Sequence, residues 1–340
     1  MFTQKELWQA DDIYEKHRIP GMLVTKSGTL LTYNEARRTA DDWALMDILL
    51  QRSADCGKTF SEPAILAQGT EKHPTVNNPV MMQDLHGRIH FLYCENYAVD
   101  GGRVLRRYSD DDGVTWSAPI DITAYTDPTF RNCFALGPGH GICLQDGTLL
   151  VPVWMVPKSY GSPVHKHGPA VVTTFSSRDS GETWQLGELL WSNAEIVSPN
   201  ETAAAELSDG SIYLNLRHTG SYRAKAISKN GQTAWQHYGV DRALSDARCF
   251  GSLTTLALEN GTRMLIFANC ANNEARDHVT VRVSFDDGET WAVNKLLDEA
   301  RGGYVELAAD AERNLIYVLY EEDWGQKCHL LTFDPAWLLS

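Results

Sequence analysis

One octapeptide pattern recurs along this chain, and it constrains the fold more than any other feature. The pattern S-x-D-x-G-x-T-aromatic occurs four times, with a fifth, degenerate copy in which Asn replaces Asp. The copies are residues 53–60, 109–116, 177–184, 284–291 and, degenerate, 228–235. Asp can bond nearby backbone amides and Gly accepts a positive φ, so each copy predicts a tight turn between two strands. Recurrence at intervals of 51 to 68 residues is typical of a repeat architecture.

A second set of turn signals alternates with the first. These six signals lie 51 to 63 residues apart and are Ser27-Gly28, His86-Gly87, Asp146-Gly147, Asp209-Gly210, Asn260-Gly261 and Arg313-Asn314. The runs beside them are rich in β-branched and aromatic residues and predict strands over residues 21–25, 29–33, 88–93, 148–154, 211–216, 263–267 and 315–320. Helical periodicity is scarce, and we expect only one short helix, near residues 3–16.

Six units of about 55 residues, each holding two hairpins, indicate an all-β fold. We expect a six-bladed β-propeller with four antiparallel strands per blade. A β-sandwich is the alternative, but the regular spacing argues against it. Six units consume nearly the whole chain, so residues 1–340 are expected to form a single propeller domain with no appended module.

The overall charge narrows the possible partners. The chain carries a formal net charge of −14, which disfavours nucleic acid and anionic membranes as partners. A site for an anionic ligand must therefore be a local cluster of Arg residues. The N-terminus shows no apolar signal segment, and the seven cysteines have no CxxC spacing. Free thiols in a reducing compartment fit this pattern, so we expect a cytoplasmic protein.

Position within the repeat indicates which polar residues share a face. In a propeller blade both kinds of turn lie at the bottom, so residues seven to ten positions away along a strand lie near the top. Seven residues have such offsets, although they come from different units: Arg18, Arg37, Glu201, Arg217, Arg276, Tyr304 and Glu321. Each one alone is more often structural, but their agreement in phase favours a shared site in the central mouth.

Several motifs resemble the sialidase (neuraminidase) family of the bacterial and animal type. The octapeptides are similar to that family's Asp-boxes, and Arg18-Ile19-Pro20 is similar to its R-I-P motif. Residues 200–210, N-E-T-A-A-A-E-L-S-D-G, followed by Asn215-Leu216-Arg217, resemble its N-E-x-x-x-x-E-L-x-D-G … N-x-R segment. Residues 137–142, G-P-G-H-G-I, resemble its G-P-G-x-G-I segment. One departure is Val305-Glu306-Leu307 after Tyr304, where the family often has small hydroxyl residues.

The resemblance implies an exo-α-sialidase, a retaining glycoside hydrolase, and it implies roles for eight residues. The implied roles are a carboxylate-binding triad of Arg18, Arg217 and Arg276, a nucleophile Tyr304, its base Glu201, an acid/base Asp42, a positioning Glu321 for Arg18, and Arg37 near the sugar 4-hydroxyl. Asp41 beside Asp42 remains an alternative acid. A neutral phenol suits this substrate because the sugar's own carboxylate repels an anionic nucleophile.

Two other functions remain open. One is hydrolysis of a related 2-keto sugar acid such as Kdn or Kdo; the other is a non-catalytic propeller that binds acidic glycans. The pocket for the 5-substituent would decide the sugar, and its candidate lining residues are Trp43, Met81, Met82 and Tyr97, although a packing role is favoured for each. No cofactor or metal is expected, because the acidic run at Asp110 to Gly113 lacks downstream calcium ligands. The expected partner is a sialylated glycan, and the oligomeric state is left open.

Overall fold

The computed structural model describes residues 1–96, 102–160, 167–258 and 260–340. The strands are, in chain order, β1 (Phe2–Gln9), β2 (Lys16–Val24), β3 (Leu30–Arg37), β4 (Met46–Ser53), β5 (Ala64–Gln68), β6 (Val76–Gln83), β7 (Ile89–Glu95), β8 (Arg103–Ser109), β9 (Ile120–Asp121), β10 (Cys133–Leu136), β11 (Gly139–His140), β12 (Ile142–Cys143), β13 (Leu149–Val156), β14 (Val171–Ser177), β15 (Gln185–Leu186), β16 (Thr202–Glu206), β17 (Ile212–Leu216), β18 (Tyr222–Ser228), β19 (Gln236–Ser245), β20 (Ser252–Ala257), β21 (Arg263–Cys270), β22 (Val279–Ser284), β23 (Val293–Asp298), β24 (Gly302–Asp310), β25 (Leu315–Glu322) and β26 (Lys327–Phe333). Within these ranges, three short 3₁₀ helices cover Thr123–Tyr125, Pro128–Phe130 and Lys158–Tyr160, and one α-helix, α1, covers Pro335–Leu338. None of the helices in the described ranges has the length and apolar character needed to cross a membrane.

The strands form six sheets around a ring, which confirms the six-bladed propeller. The first, fourth and fifth blades have the strand orders β2-β3-β4-β5, β16-β17-β18-β19 and β20-β21-β22-β23. The second blade, β6-β7-β8-β9, gains β11 as a parallel neighbour of β6, and the third is β10-β13-β14-β15 with β12 beside β13. Each strand predicted beside a turn signal is present in one of these blades.

The sixth blade closes the ring with the two ends of the chain. Its order is β24-β25-β26-β1, so the N-terminal strand pairs antiparallel with β26. The helix predicted near residues 3–16 is therefore wrong. The exposed edge of β26 offers a full ladder of backbone partners, and this long-range pairing overrides the local preference. Trp8 becomes 4% exposed against the core, and the Lys327 ammonium lies 2.7 Å from the Glu6 carboxylate.

The octapeptides form the turns between the third and fourth strands of five blades. In the copy at 177–184, Asp179 accepts hydrogen bonds from the Thr183 amide at 2.9 Å and the Thr183 hydroxyl at 2.6 Å. The Ser177 hydroxyl accepts from the Gly181 amide at 2.8 Å, and Ser180 and Gly181 both have positive φ. The ring of Trp184 stacks on Phe175 in the strand beneath, 5.0 Å between centroids, so the aromatic residue fixes the turn to the blade.

The second set of turns joins the first and second strands in five blades and joins β12 to β13 in the third, so these turns lie on the same face as the octapeptide turns. A direct contact shows this, because the Ser208 amide in the turn after β16 donates to Asp287 of an octapeptide at 3.3 Å. The remaining connections lie on the opposite, top face. The apolar core sits between adjacent blades, and all seven cysteines are free thiols, five of them buried.

We expect two glycines in these turns to differ in their tolerance of alanine. Gly210 and Gly288 have φ of +79° and +86°, but an added Cβ at Gly210 meets nothing within 4 Å, whereas at Gly288 it lies 2.8 Å from the buried ring of Tyr213. Gly210→Ala should cost about 1 kcal/mol of unfolding free energy from backbone strain alone. Gly288→Ala should cost about 2–4 kcal/mol because overpacking adds to that strain. Urea denaturation measures both, and equal losses would contradict this account of the turns.

Candidate active site

A polar cavity of about 230 Å³ opens at the top of the ring, where the inner strands converge. Its lining includes seven of the eight residues that the sequence analysis assigned to the site: Arg18, Arg37, Asp42, Glu201, Arg217, Arg276 and Tyr304. Glu321 lies directly behind Arg18. Side chains from across the chain are thus brought to one mouth, as expected from their phase in the repeat.

Tyr304, Glu201 and Arg217 meet across this cavity. Tyr304 stands on β24 of the sixth blade, while Glu201 precedes β16 and Arg217 follows β17 in the fourth. The Tyr304 hydroxyl donates to one oxygen of Glu201 and accepts from Arg217 Nη1 at 3.2 Å. The other Glu201 oxygen accepts from the same Arg217 nitrogen. Backbone pairing holds the two partners together, since the Arg217 amide donates to the Glu201 carbonyl at 2.9 Å.

The pKa values of this group place the proton on the tyrosine. Burial, and then the charge of Glu201, raise the pKa of Tyr304 well above its usual value, although Arg217 and Arg276 pull it down. Burial alone would raise the pKa of Glu201, but the charge of Arg217 and the hydrogen bond from Tyr304 hold that pKa below its usual range. The resting site therefore pairs a neutral phenol with a carboxylate that is ready to accept its proton.

Glu321 positions Arg18 from below. Its Oε1 accepts from Arg18 Nε at 2.9 Å and from the Ile19 amide at 2.8 Å, while its Oε2 accepts from the Tyr304 amide at 3.1 Å. The β2–β3 and β24–β25 ladders both shift register at these residues, and Ile19 has a φ of +54°. Such bulges re-aim side chains near functional sites. One fully buried carboxylate thus fixes an arginine and a tyrosine from neighbouring blades.

Glu35 plays the equivalent part for Arg37. Its Oε2 accepts from Arg37 at 3.0 and 2.6 Å, and its Oε1 accepts from the amide of Asn78 at 2.7 Å. Asn78 belongs to a bulge in β6 and also has a positive φ. Glu35 is 1% exposed, so an ion pair with several hydrogen bonds is what makes its charge tolerable there.

Asp42 lies on the loop between β3 and β4, where it contacts the free side of Arg37. Burial alone would raise the pKa of Asp42, but the charge and hydrogen bond of Arg37 outweigh it and keep that pKa below its usual range. The side chain is 43% exposed. Asp41 is exposed, accepts a hydrogen bond from the Trp43 amide at 2.9 Å, and does not line the cavity.

Arg276 differs from the other arginines of the cavity. Within the described residues no carboxylate forms an ion pair with it; its Nη2 donates to the Arg248 carbonyl at 3.1 Å. Its guanidinium lies over the rings of Tyr304 and Trp324, 5.8 and 4.7 Å from their centroids. A guanidinium held by a carbonyl and two aromatic faces keeps its charge available to an incoming anion.

The segment Val305-Glu306-Leu307, which departs from the pattern of the resembled family, contains a buried acid with a partner of its own. Glu306 lies two positions after Tyr304 on β24, is 0% exposed, and contacts the imidazole of His140. Burial lowers the pKa of His140, but the charge of Glu306 outweighs this and raises it. His140 comes from β11, which crosses to pair with β6. This pair joins the second and sixth blades.

Several lining residues were not predicted from the sequence. They are Ile19, Glu35, Asn77, Asn78, Trp154, His167, Asn200 and Trp324. Glu35 was detectable in principle, because it lies seven residues after Gly28 just as Glu321 lies seven after Asn314. Three candidates for the 5-substituent pocket, Met81, Met82 and Trp43, do not line the cavity. Met81 and Met82 are buried in the core, and Trp43 packs against His167. Tyr97 lies outside the described residues.

The site suits an anionic organic ligand. In the part of the chain that the structure describes, no three His, Cys, Asp or Glu side chains are grouped to hold a metal. Four guanidinium groups and an acid–phenol pair instead face one small space. Such an arrangement can bind a carboxylate and transfer a proton beside it.

Comparison with known proteins shows that this chain is similar to sialidases. The family model of the BNR repeat-like domain matches residues 47–317. A sialidase of Bacteroides fragilis (strain YCH46) is 30% identical over 92% of this chain and 61% of its own length, and one of Micromonospora viridifaciens is 29% identical over 99% and 54%. The chain thus spans only about half to three fifths of these relatives.

A solved structure agrees with this relationship. The Hadza microbial sialidase Hz136 superposes with a TM-score of 0.85 at 26% identity, covering 96% of this chain and 67% of that one. Fold, repeats and overall sequence similarity all lead to one family. The chain belongs to the sialidase family, and its propeller is built from the family's BNR repeats.

Proposed function

We propose that this protein is an exo-α-sialidase that removes terminal sialic acid with retention of configuration and uses Tyr304 as its nucleophile. The observation that carries the proposal is the contact between the Tyr304 hydroxyl and Glu201 inside an arginine-lined cavity. The sialidase relatives support the same activity.

Substrate binding rests on three guanidinium groups. Arg18, Arg217 and Arg276 face the same space around the Tyr304 ring or hydroxyl. A sugar carboxylate held by them gains charge-assisted hydrogen bonds, several of them bidentate. The carboxylate is bonded to the anomeric carbon, so its capture brings that carbon to the Tyr304 oxygen.

The first step forms a covalent glycosyl–tyrosine. The Tyr304 oxygen attacks the anomeric carbon while its proton passes to Glu201, and the bond from that carbon to the aglycone oxygen breaks. Asp42 gives its proton to the departing oxygen, so the aglycone leaves as an alcohol. A neutral phenol can approach a carbon that carries a carboxylate, whereas an anionic nucleophile would be repelled.

The second step reverses these roles. Asp42, now a carboxylate, takes a proton from water, whose oxygen attacks the anomeric carbon. The bond to Tyr304 breaks and Glu201 returns its proton to the phenol. Two displacements at the same carbon give net retention.

Replacing Tyr304 by Phe should abolish most turnover without unfolding the protein. The change removes the nucleophilic oxygen, and kcat on a fluorogenic sialoside should fall by at least about a thousandfold. Only two hydrogen bonds are lost, so the unfolding free energy should change by about 1–3 kcal/mol.

Tyr320→Phe is the matched control for this variant. It also removes a hydroxyl from the sixth blade, one that donates to Asp298 at 2.5 Å and does not line the cavity. Its activity should stay near that of the wild type. Full activity of Tyr304→Phe would refute the nucleophile, and binding of sialosides by the wild-type protein with no turnover would favour a non-catalytic glycan receptor.

The pH dependence of kcat/KM should respond to the charge at Arg37. Asp42 must be protonated in the first step, and Arg37 lowers its pKa, so kcat/KM of the wild type should decline as the pH rises above the acidic range. Arg37→Gln removes the charge and raises the pKa of Asp42. The declining limb should therefore move to higher pH, even as the maximal kcat/KM falls because a substrate contact is lost.

Arg37→Lys provides the control for charge. It keeps the positive charge but loses the planar fork, so the limb should stay near its wild-type position while the maximal kcat/KM still falls. A limb that moves equally in both variants, or in neither, would exclude Asp42 as the titrating acid.

A further inference from the structure

A second cavity adjoins the catalytic one on the top face, and we call it the side cavity. It encloses about 770 Å³ and shares Arg217, Arg276 and Trp324 with the catalytic cavity. Its own walls add Arg248 and Arg301. Four guanidinium groups therefore line a space that the reaction above does not use, on a protein whose net charge is −14.

The acidic residues of the side cavity only partly offset this charge. Glu274 and Asp277 lie on its wall. The Asp277 carboxylate is engaged by Asn272 and by His278, at 2.6 Å each. Arg248 has no carboxylate partner among the described residues, and Arg301 is 3.9 Å from Asp323 with its side chain 75% exposed. Two guanidinium groups thus remain able to contact a ligand.

The walls of the side cavity are tied together by backbone hydrogen bonds. The Gly302 amide donates to the Arg276 carbonyl at 2.8 Å, and the Asp323 amide donates to the Arg301 carbonyl at 2.9 Å. The His17 amide donates to the Gly325 carbonyl at 2.8 Å. The loops of the fifth and sixth blades and the start of β2 therefore form one continuous rim.

Trp324 stands at the junction of the two cavities in an unusual backbone conformation. Asp323, Trp324 and Gly325 have φ of +45°, +59° and +82° in succession. Each positive φ at a residue with a side chain costs about 1–2 kcal/mol, and such outliers collect at functional sites. The result is a ring 42% exposed above Arg276, which offers an apolar face for a sugar.

The side cavity is within reach of a leaving group, because it is continuous with the catalytic cavity at Arg217, Arg276 and Trp324. The anomeric carbon of sialic acid carries both the carboxylate and the glycosidic oxygen, so the aglycone begins one bond away from the carbon that bears the carboxylate. Arg217 and Arg276 belong both to the proposed carboxylate site and to the side cavity. An aglycone can therefore pass Trp324 and enter the side cavity.

We propose that the side cavity is an aglycone subsite that selects sialosides whose leaving group carries an anionic substituent. Arg248 and Arg301 would contact that substituent, and Trp324 would contact the sugar ring that bears it. The anion could be a sulfate on the penultimate sugar or the carboxylate of a second sialic acid. This inference rests on the proposed sialidase activity.

The test compares three substrates on the full chain. They are an α2,3-linked sialyl-galactoside, the same compound with a sulfate at galactose C6, and an α2,8-linked disialoside. At low ionic strength kcat/KM for the sulfated compound should exceed that for the neutral one by about fivefold or more. The ratio of kcat/KM for the sulfated compound to kcat/KM for the neutral one should approach one at about 0.5 M NaCl, because exposed ion pairs are screened by salt.

The double variant Arg248→Gln/Arg301→Gln isolates the two guanidinium groups. It should bring the ratio close to one while kcat/KM for the neutral galactoside stays within about twofold of the wild type. Glu274→Gln is the matched control, since it removes a negative charge from the same wall and should raise the ratio.

The outcomes separate this inference from the proposed function. A preference for either anionic substrate that the double variant abolishes supports the subsite, and the preferred substrate identifies the source of the anion. Hydrolysis of the neutral galactoside with no charge preference, or a preference that survives in the double variant, overturns the subsite alone. Absence of turnover with all three substrates overturns both proposals.

Discussion

Four guanidinium groups face one small cavity, and buried carboxylates hold three of them there. Like charges this close repel strongly in a partly desolvated space. Glu35, Glu201 and Glu321 offset that repulsion, and each contacts a different arginine. Arg276 has no such partner among the described residues and rests on aromatic faces instead. The charge of Arg276 thus stays available to an incoming anion.

The same carboxylates connect the site to the propeller. Glu321 accepts two backbone amides in addition to Arg18, and Glu35 accepts one in addition to Arg37. The amides belong to bulges in β2, β6 and β24, all at the top ends of inner strands. Removing either carboxylate would leave at least one buried amide donor unpaired and would remove a charged partner of a guanidinium, so the geometry of the site depends on these two groups.

Much of this arrangement could be predicted from the sequence, because a repeat converts position into geometry. The octapeptides and Gly turns indicated six blades, and offsets from those turns grouped Arg18, Glu201 and Tyr304 on one face. The residues that escaped prediction depend on local backbone conformation. Asn78 and Trp324 reach the cavity through positive φ values that no periodicity reveals. The N-terminal strand was mistaken for a helix because its partner lies more than 300 residues away.

The central claim is that Tyr304 becomes covalently bonded to the anomeric carbon of the sugar. The most direct measurement is mass spectrometry of peptides from the protein after reaction with a 2,3-difluorinated sialic acid, which slows the second displacement. The account predicts one sugar adduct, on the peptide and the residue that contain Tyr304. An adduct on Asp42 or Glu201, or hydrolysis of sialosides with no tyrosine adduct formed, would contradict it.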